Sequence, residues 1–151
     1  MAALALSPKE FACGISLAGP SDLVLHVRAH PASWWFKGLW DTRVGNADTE
    51  AAFLESRSPL FMAEAVEGAL VITHGAKDPN VHRVQSDLMV AALRARSKSV
   101  AYLVLPDDGH GLHQPVNRLR AYALAEQVLA RYLGGRVEPT HAHEDAELFL
   151  K

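Results

Sequence analysis

The stretch Ala69-Leu70-Val71-Ile72-Thr73-His74 is a nearly continuous apolar run bounded by Gly68 and Gly75. A run of that length without polar alternation is a strand buried on both faces, as in a parallel sheet. Val100-Ala101-Tyr102-Leu103-Val104-Leu105 is a second such run. Between them Val84, Leu88, Ala91, Ala92 and Ala95 recur at helical spacing, which predicts an amphipathic helix over residues 82–97. Strand, helix and strand in that order make a right-handed βαβ unit. Parallel strands cannot be joined by a hairpin, so this unit commits the chain to helices layered on a sheet, an α/β fold.

The rest of the chain extends the pattern. Phe11 to Ala18 reads as a further strand, closed by the turn Gly19-Pro20-Ser21-Asp22. Ala2 to Leu6 reads as the end of a buried helix with no start signal before it, and Ser7-Pro8-Lys9-Glu10 as a short second turn with Pro8 at its first helical position. Residues 22–62 lack strand alternation and hold Trp34, Trp35, Phe36 and Trp40, which suggests helical pieces covering a sheet end. Tyr122, Ala125, Val128, Leu129 and Tyr132 share one face of a last helix that Gly134-Gly135 stops. The domain is expected to occupy residues 1–139, with 140–151 a polar C-terminal tail.

Composition excludes some functions. A net charge of -2, with no Lys/Arg stripe along a helix, gives no footprint for a nucleic acid backbone. No stretch approaches the roughly 20 apolar residues of a membrane span, so no membrane partner is expected. Cys13 is the single cysteine, which rules out an intrachain disulfide and favours a reducing compartment. Met1 to Leu6 lacks the basic residues of a secretory signal, so a cytoplasmic location is expected.

In open α/β sheets the reacting groups sit on loops at the carboxyl ends of strands. Two loops qualify. His74-Gly75-Ala76-Lys77-Asp78-Pro79-Asn80-Val81 places a carboxylate after one buried strand, and Pro106-Asp107-Asp108-Gly109-His110-Gly111 places an imidazole after the next. Neighbouring strands lie about 4.8 Å apart, so the loops can bring Asp78 and His110 within hydrogen-bonding reach. A carboxylate on one ring nitrogen fixes the tautomer and steadies the imidazolium that forms when the other takes a proton. On spacing alone the bland reading stays open, with Asp78 capping a helix and His110 capping a loop.

Other residues carry paired readings. Gly14-Ile15-Ser16-Leu17-Ala18 roughly imitates a nucleophile elbow, but Ser16 lies inside a strand with no helix directly after it, so strand serine is the favoured reading. The tryptophan cluster is either packing, which is favoured, or one wall of a substrate pocket. His141 and His143 with Glu144 and Asp145 imitate a metal site, yet a tail without a second ligand cluster rarely holds one. His82 and His113 read as ordinary surface or loop residues.

Several motifs in order carry a resemblance: Gly19-Pro20-Ser21-Asp22-Leu23, Arg43-Val44-Gly45-Asn46-Ala47-Asp48-Thr49-Glu50, Ser58-Pro59, His74 through Val81, and Gly109-His110-Gly111. Together they resemble the prolyl oligopeptidase family, and within it the acylaminoacyl-peptidase and dipeptidyl-peptidase-like branch, over residues 1 to about 139. The resemblance implies the C-terminal portion of an α/β-hydrolase fold, with about three parallel strands and flanking helices. It makes Asp78 the acid and His110 the base of a Ser-His-Asp triad that hydrolyses short peptides, N-acylated ones included, with no metal or organic cofactor. Asn80 stands where the family usually has Arg, and Asp108 where it often has Glu; neither change touches the triad.

The family's serine sits in a Gly-x-Ser-x-Gly elbow, which by the resemblance would lie immediately before Met1. The chain is therefore expected to be inactive by itself. The rival expectation is a non-catalytic interaction module, because strand 11–18 would leave unpaired backbone groups at an apolar edge. That edge would make a homo-oligomer or pair with a complementing N-terminal chain.

Overall fold

A computed structural model of the chain describes residues 1–31, 33–139 and 144–151. Its centre is a four-stranded sheet in the order β1-β2-β3-β4, where β1 is Cys13–Leu17, β2 Ala69–Gly75, β3 Val100–Leu105 and β4 Glu147–Phe149. The first three strands are parallel, and β4 runs antiparallel to β3. Every residue of β2 is buried, as its nearly continuous apolar run requires.

Successive strand residues point to opposite faces, and the two faces are covered by different helices. Leu70, Ile72, Val100 and Tyr102 share one core with α1 (Ala2–Leu6), the 3-10 helix Pro59–Ala65 and Met89, Val90 and Leu93 of α5 (Val84–Ala95). Ala69, Val71, Ala101, Leu103 and Leu105 meet Ala121, Leu124 and Val128 of α6 (Pro115–Leu133). The helix expected over 82–97 is present, but its buried face is turned from the expected one. Gln85, Ser86, Met89, Val90 and Leu93 are buried, whereas Val84 and Leu88 are exposed. In α6 likewise, Tyr122 is exposed and Asn117, Ala121 and Leu124 are buried. Both helices have apolar residues on adjoining faces, and hydrogen bonds draw polar Gln85, Ser86 and Asn117 inward, which periodicity cannot register.

The cover region forms three short helices, α2 (Leu23–Ala29), α3 (Lys37–Arg43) and α4 (Ala51–Ser56), around a small core of Val24, Val27, Ala47 and Leu54. Asp22 caps α2 by accepting from the Leu25 N–H at 3.0 Å. Gln85 of α5 fixes this region to the main body. Its Oε1 accepts from the N–H groups of Ser21 (2.8 Å) and Asp22 (2.7 Å), and its Nε2 donates to the Asp22 carbonyl at 3.0 Å. Gln85→Ala would leave two backbone donors without a partner and is expected to lower stability by about 2 kcal/mol, read as a shift in the urea midpoint at constant m-value.

The expected polar tail is corrected in part. Glu147–Phe149 adds an edge strand to β3 through the pairs Val100–Phe149, Ala101–Leu148 and Tyr102–Glu147. Arg94 pairs with Glu147 at 2.7 Å, and Tyr132 donates to the Lys151 carbonyl at 3.0 Å. The apolar pair Leu148 and Phe149, hidden in a charged stretch, gave too short a run to read as a strand. His141 and His143 lie outside the described residues. At the opposite edge β1 has a single strand neighbour among the described residues, with Ile15 at 50% exposure and Leu17 nearly so. Among the described residues no helix is long and apolar enough to cross a membrane.

Candidate active site

Strands β2 and β3 end level with each other, Gly75 opposite Leu105, so the loops that follow leave the sheet at one point. Two backbone hydrogen bonds knit these loops: Ala76 N–H to the Leu105 carbonyl at 2.8 Å, and Lys77 N–H to the Asp108 carbonyl at 2.9 Å. The approach is close enough to require a glycine, since a Cβ at Gly75 would lie 2.5 Å from the Asp108 oxygen and closer still to that of Gly109.

Asp78 sits on the first loop with its side chain fully buried. Its Oδ1 accepts from the N–H groups of Asn80 (2.8 Å) and Val81 (2.9 Å), which curls the loop around the carboxylate and aims Oδ2 outward. Oδ2 then accepts from His110 Nδ1 at 2.9 Å. With its proton on Nδ1, the ring keeps Nε2 as the nitrogen able to take another. Burial pushes the Asp78 pKa up, but the Val81 N–H, the His110 ring and the Asn80 N–H outweigh it and hold the carboxyl below its usual value. Asp78 is thus the charged, fixed member of the pair, and His110, with 45% of its side chain exposed, is the accessible one.

Two neighbours that sequence reasoning left without a role hold this arrangement. His74, at the end of β2 and wholly buried, donates Nε2–H to the Val81 carbonyl at 2.8 Å and meets the Ser86 hydroxyl with Nδ1 at 2.6 Å. It thereby ties the far end of the Asp78 loop to β2 and α5. Asp108 accepts from Asn117 Nδ2 at 2.8 Å and fixes the His110 loop to the start of α6. A histidine closing an otherwise apolar buried strand was the available signal for the first, because a buried imidazole needs partners.

Beside His110 opens a cavity of about 700 Å3, bordered by the Leu17–Pro20 turn, Asn80 and Val81, and by His26, His30, Trp34 and Trp40. The tryptophans divide between the two readings. Trp40 packs against the small core under α2 to α4 and also walls the cavity, Trp34 walls it, and Trp35 is 80% exposed. His82, expected at the surface, is exposed and borders a smaller cavity next to this one.

His26 is buried, and its pKa is lowered to about 4, chiefly by burial and then by His30. In the unfolded chain it would titrate near 6.5. Between those values the unfolded state binds the extra proton, so stability is expected to fall as pH drops from about 6.5 to about 4 and to lose nothing further from this residue below that. Allowing for the ring edge that faces the open cavity, the loss is about 2 kcal/mol. Denaturation midpoints across this range would show it, and His26→Phe should flatten the slope.

Ser16 is not brought to His110. It lies within β1 opposite Ile72, is 8% exposed, and its Oγ lies against Gly19 rather than in the cavity. No His110 hydrogen bond to a serine occurs among the described residues. No group of three or more metal-ligating side chains is found among them either.

Comparison with known proteins supplies the relationship. The prolyl oligopeptidase family matches residues 1–136. Over 143 residues the chain is 40% identical to dipeptidyl peptidase family member 6 of Caenorhabditis elegans, covering 92% of this chain and 19% of that protein. Over 140 residues it is 39% identical to dipeptidyl aminopeptidase BIII of Pseudoxanthomonas mexicana, covering 90% of this chain and 20% of that one. The crystal structure of puromycin hydrolase superposes with a TM-score of 0.80 at 22% identity, over 97% of this chain and 21% of that chain, a likeness of fold. The chain thus spans about a fifth of the length of these relatives. With three parallel strands, two helical layers and a family match that runs through both loops, the chain belongs to the prolyl oligopeptidase family.

Proposed function

We propose that this chain supplies the acid and base of a Ser-His-Asp triad in a serine peptidase acting on short peptides, with the serine on polypeptide outside these 151 residues. The observation that carries the reading is the 2.9 Å bond from His110 Nδ1 to a carboxylate whose other oxygen is held by two backbone N–H groups. Among the described residues that geometry leaves Nε2 without a hydrogen-bond partner, beside a cavity large enough for a peptide side chain. Family membership and the peptidase names of the relatives support it.

In the proposed reaction the serine oxygen bonds to the peptide carbonyl carbon as its proton passes to His110 Nε2. The fixed charge of Asp78 steadies the resulting imidazolium. Collapse of the tetrahedral species breaks the C–N bond, and His110 returns the proton to the departing amine. Water then repeats the sequence on the acyl-enzyme, giving up its proton to His110 and releasing the acid and the serine.

Acid and base cannot replace the nucleophile and the oxyanion donors. The 151-residue chain alone is therefore expected to stay unlabelled by a fluorophosphonate probe, while a longer polypeptide carrying the family's serine elbow is labelled at that serine. Label on Ser16 of the short chain, or none on the longer one, would overturn the reading.

A further inference from the structure

His26 and His30 stand one helical turn apart at the end of α2, and both face the cavity beside His110. Their rings meet edge to face at 4.8 Å, and His30 stacks on Trp40 at 5.4 Å and lies 4.4 Å from Trp34. His30 donates Nδ1–H to the His26 carbonyl at 2.9 Å, because a carbonyl can only accept. In the neutral ring its Nε2 is then a bare acceptor.

His26 is 4% exposed, and no group among the described residues hydrogen-bonds its ring nitrogens. The ring edge that faces the cavity meets solvent when the site is empty, and a ligand that displaces that solvent must supply a partner in its place. Apart from His110 and the polar Asn80, the remaining wall is aromatic and aliphatic, with Trp34, Phe36, Leu39 and Trp40 among it, which suits a flat apolar ring. Because burial keeps His26 uncharged at neutral pH, its ring offers one acceptor nitrogen and one N–H donor rather than positive charge.

We infer that this cavity selects an aromatic residue with a hydrogen-bond donor on its edge, tyrosine above phenylalanine and leucine, and that His26 and His30 make the selection. The inference rests on the peptidase reading, since the selected residue would be the one held beside His110 during cleavage. The indoles take the ring, and an imidazole nitrogen accepts from the donor. A site built to hydrogen-bond a hydroxyl discriminates against the analogue lacking it, because its own polar groups are otherwise left unpaired.

The test is titration of the 15N-labelled chain with N-acetyl-tyrosinamide, N-acetyl-phenylalaninamide and N-acetyl-leucinamide, following the indole N–H signals of Trp34 and Trp40. Tyrosinamide is expected to bind roughly three- to tenfold more tightly than phenylalaninamide, the worth of one hydrogen bond. In His26→Phe and in His30→Phe, each checked for an unchanged amide spectrum elsewhere, that ratio should fall toward one. Equal affinities in the parent chain, no saturable shift, or a ratio that survives both substitutions would overturn the inference. The titration needs no serine nucleophile, so lost selectivity refutes this inference alone, and failed fluorophosphonate labelling of the longer polypeptide refutes the peptidase reading.

Discussion

His110→Ala, made in a polypeptide that also carries the serine nucleophile, is expected to lower kcat about a million-fold, and Asp78→Asn about ten-thousand-fold. The two effects differ because the residues do different work. In the proposed mechanism His110 accepts and returns the proton, so its loss would remove the general base and leave only binding and the oxyanion donors. In the same mechanism Asp78 moves no proton. Its carboxylate holds His110 Nδ1–H at 2.9 Å, and an amide that presents its NH2 group there would favour the opposite tautomer and put the proton on the wrong nitrogen. Because the Asn80 and Val81 N–H groups can still bond the amide oxygen, the loop should stay in place. KM is therefore expected to change little in Asp78→Asn while kcat collapses. Steady-state kinetics on a chromogenic dipeptide amide would show it, and a drop of less than about a hundredfold in either variant would remove that residue from the triad.

Gly75→Ala is expected to destabilise the chain by about 4 kcal/mol. The new Cβ would meet backbone oxygens of Asp108 and Gly109, which cannot rotate away as a side chain tip can. Relief requires the His110 loop to move off β2, which breaks the Lys77 to Asp108 and Ala76 to Leu105 hydrogen bonds. The loss should therefore show both in the urea midpoint and in the low-field proton signal of the His110–Asp78 hydrogen bond. Two other glycines serve as contrasts. A Cβ at Gly109 would touch Lys77 and Pro79 only at 3.5 and 3.8 Å, so Gly109→Ala should cost little. Gly38, inside α3 with nothing within 4 Å, should gain about 0.5 to 1 kcal/mol on the same change. A shift below about 1 kcal/mol for Gly75→Ala would mean that the two loops are not packed as described.

Local chemistry explains which features could be read in advance. The nearly continuous apolar runs of β2 and β3 admit no solvent-facing side, so the βαβ unit and its parallel sense were legible from the residues. The same holds for the loops carrying Asp78 and His110, which follow those strands directly. The faces of α5 and α6 were not legible, because Gln85, Ser86 and Asn117 are buried through hydrogen bonds whose partners lie on other elements, among them Ser21, His74 and Asp108. The strand near the C-terminus escaped for a related reason: Glu147 to Phe149 becomes a strand only because β3 offers it a free edge.

What the residues alone determined was the order of buried strands and the placing of one carboxylate and one imidazole at their ends, since hydrophobic periodicity and turn chemistry are local properties. The tertiary structure decided what those groups face. It set the 2.9 Å bond between side chains 32 residues apart, the role of His74 behind them, and the pairing of His26 and His30 with Trp34 and Trp40 in one cavity. Such convergence depends on how separate elements pack, and packing is set by contacts between residues far apart in the chain, which no window of sequence contains.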